Sequence, residues 1–454
     1  MSEDPTCWEN RFPGNFEKQF GPVTAGDAVR AVEMACQSFA TWRETPLEDR
    51  KSALLLCRDA LAESRETLAL LIAQEVGKTL RESRLELDAV TGKFAFAFQD
   101  ADLYLADRAV SDGPHPALVR SRPRGPAAVI APFNFPIHLG HGAALAYLLA
   151  GSSVLFKPSP LAANVAAAYG EIMNRFLPPG VFQIVQGWGT TARAICLDER
   201  VRSVCFTGSL PVGLSLAKDL ASDLSKSLAL ELGGKNCLII CADADLSAAA
   251  AAAADGLCLT TGQRCNATSR ILMEESVEAD FLPLFRKALS KYVPDDPTLE
   301  TTMMGPLANS RAFDRYKRLV TTPGDWLISG KADDTSGYYV QPAILKTHGP
   351  TPLGDEEFFS PVATWETFAS IEEAISLQKT DALGLTASVY TASEPLFARF
   401  VKDLEVGNLY RNLPTTFSPS SLPFGGMLLA GNGKPGGRGF ARFAAHEQAV
   451  QWRA

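Results

Sequence analysis

The sequence predicts an α/β protein of two lobes, each a parallel sheet flanked by helices. Three observations carry this. Short apolar runs of strand length recur from residue 127 onward, Ala- and Leu-rich helical stretches separate them, and the alternation restarts after about residue 233. Parallel neighbours need a long crossover, usually a helix, so strands spaced by helices imply parallel pairing. The length of 454 residues suits two or three domains of roughly 100–200 residues each and buries cores large enough to need no disulfide or metal.

The first third reads as helical. Ala28, Val32, Ala35, Phe39 and Trp42 fall at steps of three and four, one face of a helix over 27–43. Thr45-Pro46 supplies an N-cap and an N1 proline for one continuous helix over 47–76, which Gly77 ends. A third helix runs from about 80 to 107. Strands are expected at 127–131, 153–156, 182–185 and 203–206, then at 237–241 and 271–273. The run 228–230 reads as the apolar end of a helix. The alanine run 248–254 reads as a helix packed closely on a sheet. The glycine-dense stretch 425–439 reads as an ordered but irregular surface segment, and 449–452 as a final strand.

Composition narrows the function classes. Hydrophobic residues make up 46% and charged residues 21%, the balance of a globular chain. Against 43 Lys+Arg stand 51 Asp+Glu, a net charge of −8 without basic runs, which argues against nucleic-acid binding. Nine scattered cysteines without a C-x-x-C pair do not read as a zinc or redox framework and suit a reducing compartment. The start MSEDPTCWEN lacks the basic and apolar regions of a signal peptide, and no apolar stretch reaches the roughly 20 residues of a membrane span. A cytoplasmic protein with no membrane partner is expected.

Five segments carry chemistry. In Gly262-Gln263-Arg264-Cys265 a cysteine follows a glycine-containing turn, where a thiolate can reach a carbonyl carbon. In Glu231-Leu232-Gly233-Gly234-Lys235 two glycines let a carboxylate face a cleft and serve as a base for water. Pro132-Phe133-Asn134-Phe135-Pro136 follows a strand and is stiffened by its prolines, so Asn134 offers a fixed donor for an oxyanion. Phe206-Thr207-Gly208-Ser209-Leu210-Pro211-Val212-Gly213 leads from a strand into a helix N-terminus suited to a pyrophosphate, although it is no G-x-G-x-x-G. Phe156-Lys157-Pro158-Ser159 puts a lysine at another strand end. Taken singly, each has an ordinary structural reading: a core thiol, a surface carboxylate, a tight turn, a solvated lysine.

Together, and in this order, the five resemble the aldehyde dehydrogenase superfamily, with its Pro-(Trp/Phe)-Asn-Phe-Pro, Phe-Lys-Pro-(Ser/Ala), Phe-Thr-Gly-Ser, Glu-(Leu/Met)-Gly-Gly-Lys and Gly-Gln-x-Cys segments. Glu75-Val76-Gly77-Lys78, Glu356-Glu357-Phe358-Phe359-Ser360-Pro361-Val362 and Pro423-Phe424-Gly425-Gly426 add to the likeness, which extends from about residue 14 onward. The resemblance implies an aldehyde dehydrogenase-like fold of two Rossmann-type lobes: a cofactor domain from 1–107 and 125–232, a catalytic domain at 233–423, oligomerisation strands at 108–124 and 444–454, and a segment at 424–443 returning to the cofactor domain. It implies oxidation of an aldehyde to a carboxylate with NAD or NADP. Cys265 would form the thioester, Asn134 and the Cys265 N–H would hold the oxyanion, Glu231 would activate water, and Lys157 would serve the site. Pro132, Phe133, Lys157, Ser159, Gly208, Ser209, Val212, Gly213, Leu232, Glu357 and Phe359 would hold the cofactor. No metal is implied, His138 and His141 included. A homodimer or dimer of dimers is implied, joined through 117–124 and the C-terminal strand near 447–452.

The sequence also departs from the family. Pro160 stands where many relatives carry the acidic residue that binds the adenine ribose, so preference for NAD is expected to weaken and NADP to be admitted. Ser360 replaces a glycine, and the β-rich opening of many relatives is expected to be missing. Among subfamilies, Asn134-Phe135-Pro136 with His138-Leu139, Leu148-Leu149-Ala150-Gly151, Gly431-Asn432 and Pro435 resemble N-succinylglutamate 5-semialdehyde dehydrogenases of arginine catabolism. That polycarboxylate calls for cations, and Arg411 and Lys434 are the candidates by motif order, although an aromatic residue is expected at 411. A general semialdehyde, aliphatic or aromatic aldehyde dehydrogenase, a CoA-acylating dehydrogenase, or a non-catalytic binding protein on the same fold are the alternatives. Glu231 argues against the CoA route, and intact Cys265, Asn134 and Glu231 against the last.

Overall fold

The computed structural model describes residues 4–110, 115–347, 353, 357–379 and 382–453. Glu356 and parts of the stretches expected at 108–124 and 444–454 lie outside the described residues.

Four short strands open the chain: β1 (Cys7–Trp8), β2 (Arg11–Phe12), β3 (Asn15–Gln19) and β4 (Val23–Thr24). β1 pairs with β4 and β2 with β3. A β-rich opening is therefore present, against expectation, because strands this short leave no alternation to read. Helices α1 (Ala28–Trp42), α2 (Leu47–Glu63), α3 (Arg65–Val76) and α4 (Leu80–Tyr104) follow. The single helix expected over 47–76 is two. The chain bends at Ser64 (φ −88°, ψ 7°), and Pro46 stands at the N-cap, one position earlier than expected. The bend keeps the apolar positions near helical phase, so periodicity does not register it. Gly77 closes α3 at φ 78°, a left-handed conformation that favours glycine.

After β5 (Arg108–Val110) and β6 (Ala117–Pro123) comes the first α/β lobe: β7 (Ala127–Ile130), α5 (His138–Ala150), β8 (Val154–Lys157), α6 (Ala163–Asn174), β9 (Phe182–Ile184), α7 (Gly189–Leu197), β10 (Ser203–Thr207), α8 (Leu210–Leu220) and β11 (Ser227–Glu231). The second lobe holds β12 (Asn236–Ile240), α9 (Leu246–Cys258), β13 (Thr268–Glu274), α10 (Glu278–Leu289), α11 (Ser310–Val320), β14 (Asp325–Ile328), β15 (Ala332–Asp333), β16 (Tyr339–Val340), β17 (Ala343–Lys346), β18 (Val362–Phe368), α12 (Ile371–Lys379), β19 (Leu383–Gly384), β20 (Thr386–Tyr390), α13 (Glu394–Asp403) and β21 (Asn408–Arg411). The chain closes with β22 (Met427–Leu428), β23 (Gly431–Asn432), α14 (Ala441–Ala444) and β24 (Ala445–Gln451).

Among the described residues the first sheet has the order β23-β11-β10-β7-β8-β9 and the second β14-β17-β18-β13-β12-β20-β21. Each is parallel apart from one edge strand, β23 or β14. Every residue of β7, β8 and β12 is buried, as strands covered by helices on both faces must be. The run expected to end a helix at 228–230 is strand β11, in parallel register with β10. A three-residue apolar run fits either element, and tertiary pairing decides. Buried Ala249, Ala250, Ala252, Ala253 and Ala254 let α9 lie close to the second core.

The glycine-dense stretch is not merely surface. β22 pairs with β19, β23 adds antiparallel to β11, and Gly425 and Gly426 are buried. β24 pairs antiparallel with β6 from Ala445↔Pro123 to Gln451↔Ala117, with β5 on the other side of β6. Among the described residues no helix is long and apolar enough to cross a membrane.

Candidate active site

Four strands of the first sheet end side by side. The register sets Thr207 beside Glu231, Phe206 beside Ile130, and Ile130 beside Lys157. The segments that leave these ends therefore form one rim: Glu231-Leu232, Gly208-Ser209, Pro132-Phe133 and Lys157-Ser159. Ligands of open α/β sheets bind outside this carboxyl edge. Ser209 is the N-cap of α8, and its side chain makes no capping bond. The first-turn N–H groups there suit an anionic phosphate. Val212 is exposed. A Cβ on Gly213 would lie 2.6 Å from Leu232 Cδ2, so glycine is what lets α8 close on the Leu232 side chain. Lys157 is buried, with Nζ donating to the Pro158 carbonyl at 2.8 Å, and burial pulls its pKa down to about 8. Ser159 accepts a bond from Leu161 N–H at 3.3 Å, and the Pro160 carbonyl receives Trp8 Nε1 and Asn10 Nδ2.

The second lobe delivers Cys265. α9 stops at Cys258, and Thr260 and Thr261 then take φ 52° and 55°. For β-branched residues this left-handed region costs on the order of 1–3 kcal/mol each, so surrounding contacts must enforce it. Gly262 follows at φ 69°, where a side chain would collide with the Ser360 main chain. Cys265 comes next. Asn236, at the start of β12, donates to the Cys265 carbonyl at 2.7 Å and the Ala267 carbonyl at 2.9 Å, while its oxygen accepts from Thr386 N–H and Oγ1. Asn134, arriving from the first lobe, donates to the Gln263 carbonyl at 2.8 Å. The half-buried Cys265 packs against Leu385, Phe424 and Ala430. Burial holds its thiol well above the ordinary value; Glu231 and Glu357 add to this and Arg264 opposes it.

Glu231 ends β11 and is 1% exposed. Neither carboxyl oxygen has a hydrogen-bond partner among the described residues. Burial pushes its pKa up to about 8, against the pull of Lys93 and Lys434. A Cβ on Gly425 would lie 3.0 Å from Glu231 Oε2 and 2.8 Å from Lys434 Cα, so this glycine lets the two meet. The Glu357 carboxyl accepts a long 3.4 Å bond from Gly234 N–H, and burial raises it to about 8. Phe359, at φ 49°, sets its ring edge-on to Phe133, centroids 5.9 Å apart.

The structure thus brings Cys265, Glu231, Asn134 and Glu357 around one point and lays Pro132, Phe133, Lys157, Ser159, Gly208, Ser209, Val212, Gly213, Leu232 and Phe359 along the adjoining rim. Arg411, the first candidate cation, is held by the main chain. Its guanidinium donates to the Thr391 and Ala392 carbonyls at 3.3 and 2.5 Å. Side chains alternate along a strand, and it is neighbouring Tyr410 that feels the Cys265 charge. Lys434, at φ 44°, lies near enough to Glu231 to oppose the effect of burial on its carboxyl. His141 Nδ1 pairs with the Tyr169 hydroxyl at 2.8 Å.

Sequence reasoning missed Asn236, Lys93, Glu82 and Arg264. Their signal is positional. Glu82, Glu86 and Lys93 share one face of α4 at steps of four and seven, and all three are buried. A pattern search for apolar residues discards such positions.

A family model described as the aldehyde dehydrogenase family matches residues 10–450. The chain belongs to the aldehyde dehydrogenase family. It is 32% identical over 429 residues to an N-succinylglutamate 5-semialdehyde dehydrogenase of Caulobacter vibrioides, a match covering 92% of this chain and 91% of that one. The structure is similar to an NAD-dependent aldehyde dehydrogenase from Sinorhizobium meliloti, with a TM-score of 0.93, 26% identity, and 98% and 91% of the two chains covered. It is also similar to an NADP-dependent enzyme of E. coli, with a TM-score of 0.94, 25% identity, and 99% and 95% covered. The fold and the enzyme class expected from the motifs are borne out: this is an aldehyde dehydrogenase with relatives in the expected subfamily.

Proposed function

We propose that this aldehyde dehydrogenase uses NAD or NADP to convert a carboxylate-bearing semialdehyde, N-succinylglutamate 5-semialdehyde, to N-succinylglutamate through a thioester on Cys265. The observation that carries the chemistry is the meeting of Cys265, Asn134 and the partnerless carboxyl of Glu231, from three separate elements, beside the sheet rim. Cys265 Sγ adds to the carbonyl carbon as the thiolate, its proton having passed to solvent water. Asn134 has a second amide N–H beyond the one given to Gln263, and with the Cys265 N–H it holds the oxyanion. When bound, the dinucleotide supplies the hydride acceptor. Lys157, Ser159, Ser209 and the α8 N-terminus would hold its ribose and phosphates, with Pro132, Phe133, Val212, Gly213, Leu232, Glu357 and Phe359 about the rest. Glu231 then takes a proton from water as the water attacks the thioester, releasing the carboxylate and the thiol. Its presence favours water over coenzyme A as the acceptor.

Pro160 offers no carboxylate to repel a 2′-phosphate, which supports use of NADP beside NAD. The substrate assignment draws on the likeness to the Caulobacter vibrioides protein, with Lys434 the remaining candidate cation. We read 1–107 and 125–232 as the cofactor domain, 233–423 as the catalytic domain and 424–443 as the returning segment. The outer edge of β24 has no strand partner among the described residues, which supports 108–124 and 444–454 as the joint of a cytoplasmic homodimer or dimer of dimers.

The test is NAD(P)H absorbance with succinylglutamate semialdehyde, succinic semialdehyde, a medium alkanal and benzaldehyde, each with both cofactors. Turnover should be fastest with the first and vanish in Cys265→Ala. Undiminished turnover in that variant would sink the thioester route, and preference for the alkanal or benzaldehyde would sink the substrate assignment.

A further inference from the structure

We propose that Glu82, with Arg264, is a positioning residue of the nucleophile loop: it clamps the left-handed Thr260–Thr261 turn and so sets where Cys265 stands. This rests on Cys265 being the nucleophile. Glu82 lies in the first turn of α4 with its side chain fully buried. Its two oxygens receive four bonds: Thr79 Oγ1 at 3.1 Å, Thr260 N–H at 3.1 Å, Thr260 Oγ1 at 2.8 Å and Arg264 Nη2 at 2.6 Å. Arg264 Nε also donates to Thr260 Oγ1 at 2.9 Å, which closes a ring of three side chains. Three of the four bonds thus fall on the five residues that precede Cys265. They hold Thr260 in a conformation its own branched side chain disfavours.

One turn along the helix, Glu86 does the same for the oxyanion donor. It accepts Ile137 N–H at 3.1 Å and His138 N–H at 3.0 Å and pairs with Lys78 at 2.7 Å. Lys78 Nζ donates to the Asn134 carbonyl at 3.2 Å and sits 3.3 Å from the centre of the Phe135 ring, over whose plane Arg264 also lies at 5.0 Å. One face of α4 therefore grips both loops that must meet at the substrate carbon. Stability is a poor reason for four charges in this place, since well-packed apolar residues often serve a fold as well as a buried ion pair does. Geometry is the better reason: a misplacement of about 1 Å can cost on the order of 10²-fold in rate.

The test uses the full chain with Glu82→Gln, which keeps the shape and removes the charge. The clamp predicts a kcat lower by about tenfold or more, an unchanged KM for NAD(P), and slower alkylation of Cys265 by iodoacetamide, followed by mass spectrometry of the labelled peptide. Adding Thr260→Gly should restore part of kcat, because glycine adopts the left-handed turn without a clamp. A kcat equal to wild type, or a loss shared equally by kcat and cofactor KM with no rescue, overturns the proposal. Should Glu82→Gln not fold, Thr260→Val removes the hydroxyl at the centre of the ring while keeping the branched shape; it should lower kcat alone, and an unchanged kcat there overturns the proposal too. Cys265→Ala keeps the two readings apart: lost turnover there with normal turnover in Glu82→Gln defeats the clamp only.

Discussion

Glu231 and Glu82 are both glutamates at the joint between the lobes, and both are buried. Their environments differ in one respect. Glu82 receives four hydrogen bonds, and although burial alone would raise its pKa, Arg264, Lys78 and those bonds bring it below the ordinary value. Among the described residues Glu231 receives none, two lysines reach it only through space, and burial lifts it to about 8. Burial thus sets the cost of a charge, and donors decide whether the group bears it. A carboxylate satisfied by fixed donors is an anchor. One left without them can take up a proton near neutral pH, which is what a base for water needs.

Three variants sharpen or break this contrast. The largest effect is expected in Glu231→Gln, which keeps the shape and removes the proton acceptor. Steady-state turnover should fall by roughly 10²–10⁴, while stopped-flow absorbance still shows one burst of NAD(P)H per Cys265, because only the water step is lost. A missing burst would place Glu231 in the first half of the reaction.

Next is pH. As the proposed base, Glu231 must be the carboxylate, so the water step should speed up as pH rises through about 8. Lys93 favours that ionised form, so Lys93→Met should move the midpoint to higher pH and slow the step at pH 8. A pH–rate profile under conditions where deacylation limits would show it, and a midpoint unmoved or shifted downward would remove Lys93 from the base's field. The smallest effect is expected in Arg411→Ala. Its bonds go to loop carbonyls, so it belongs with the anchors. KM for acidic aldehydes should not change, and a clear rise would return Arg411 to the substrate. The stability loss should be about 1.5–3 kcal/mol, the worth of a lost charged hydrogen bond, read from denaturant unfolding.

Cys265, Asn134 and Glu231, the proposed nucleophile, oxyanion donor and base, were legible as candidates because each sits in a short contiguous segment whose turn residues and chemistry go together. The alternation of strands and helices was legible because each element is long enough to show a period. Asn236 was not, since its value lies in reaching the Cys265 carbonyl across a loop. Glu82 and Lys93 were not, since a charged residue on a helix reads as solvent-facing until the fold buries it.

What the sequence determined by itself is therefore the alternating α/β plan and the set of candidate reactive side chains, both encoded over a few neighbouring residues. Only the tertiary structure decided that 228–230 is a strand, that β23 returns to pair with β11, and which of two glutamates keeps its charge. Strand pairing and the supply of donors to a buried group depend on residues far apart in the chain, and no local pattern records who their partners will be.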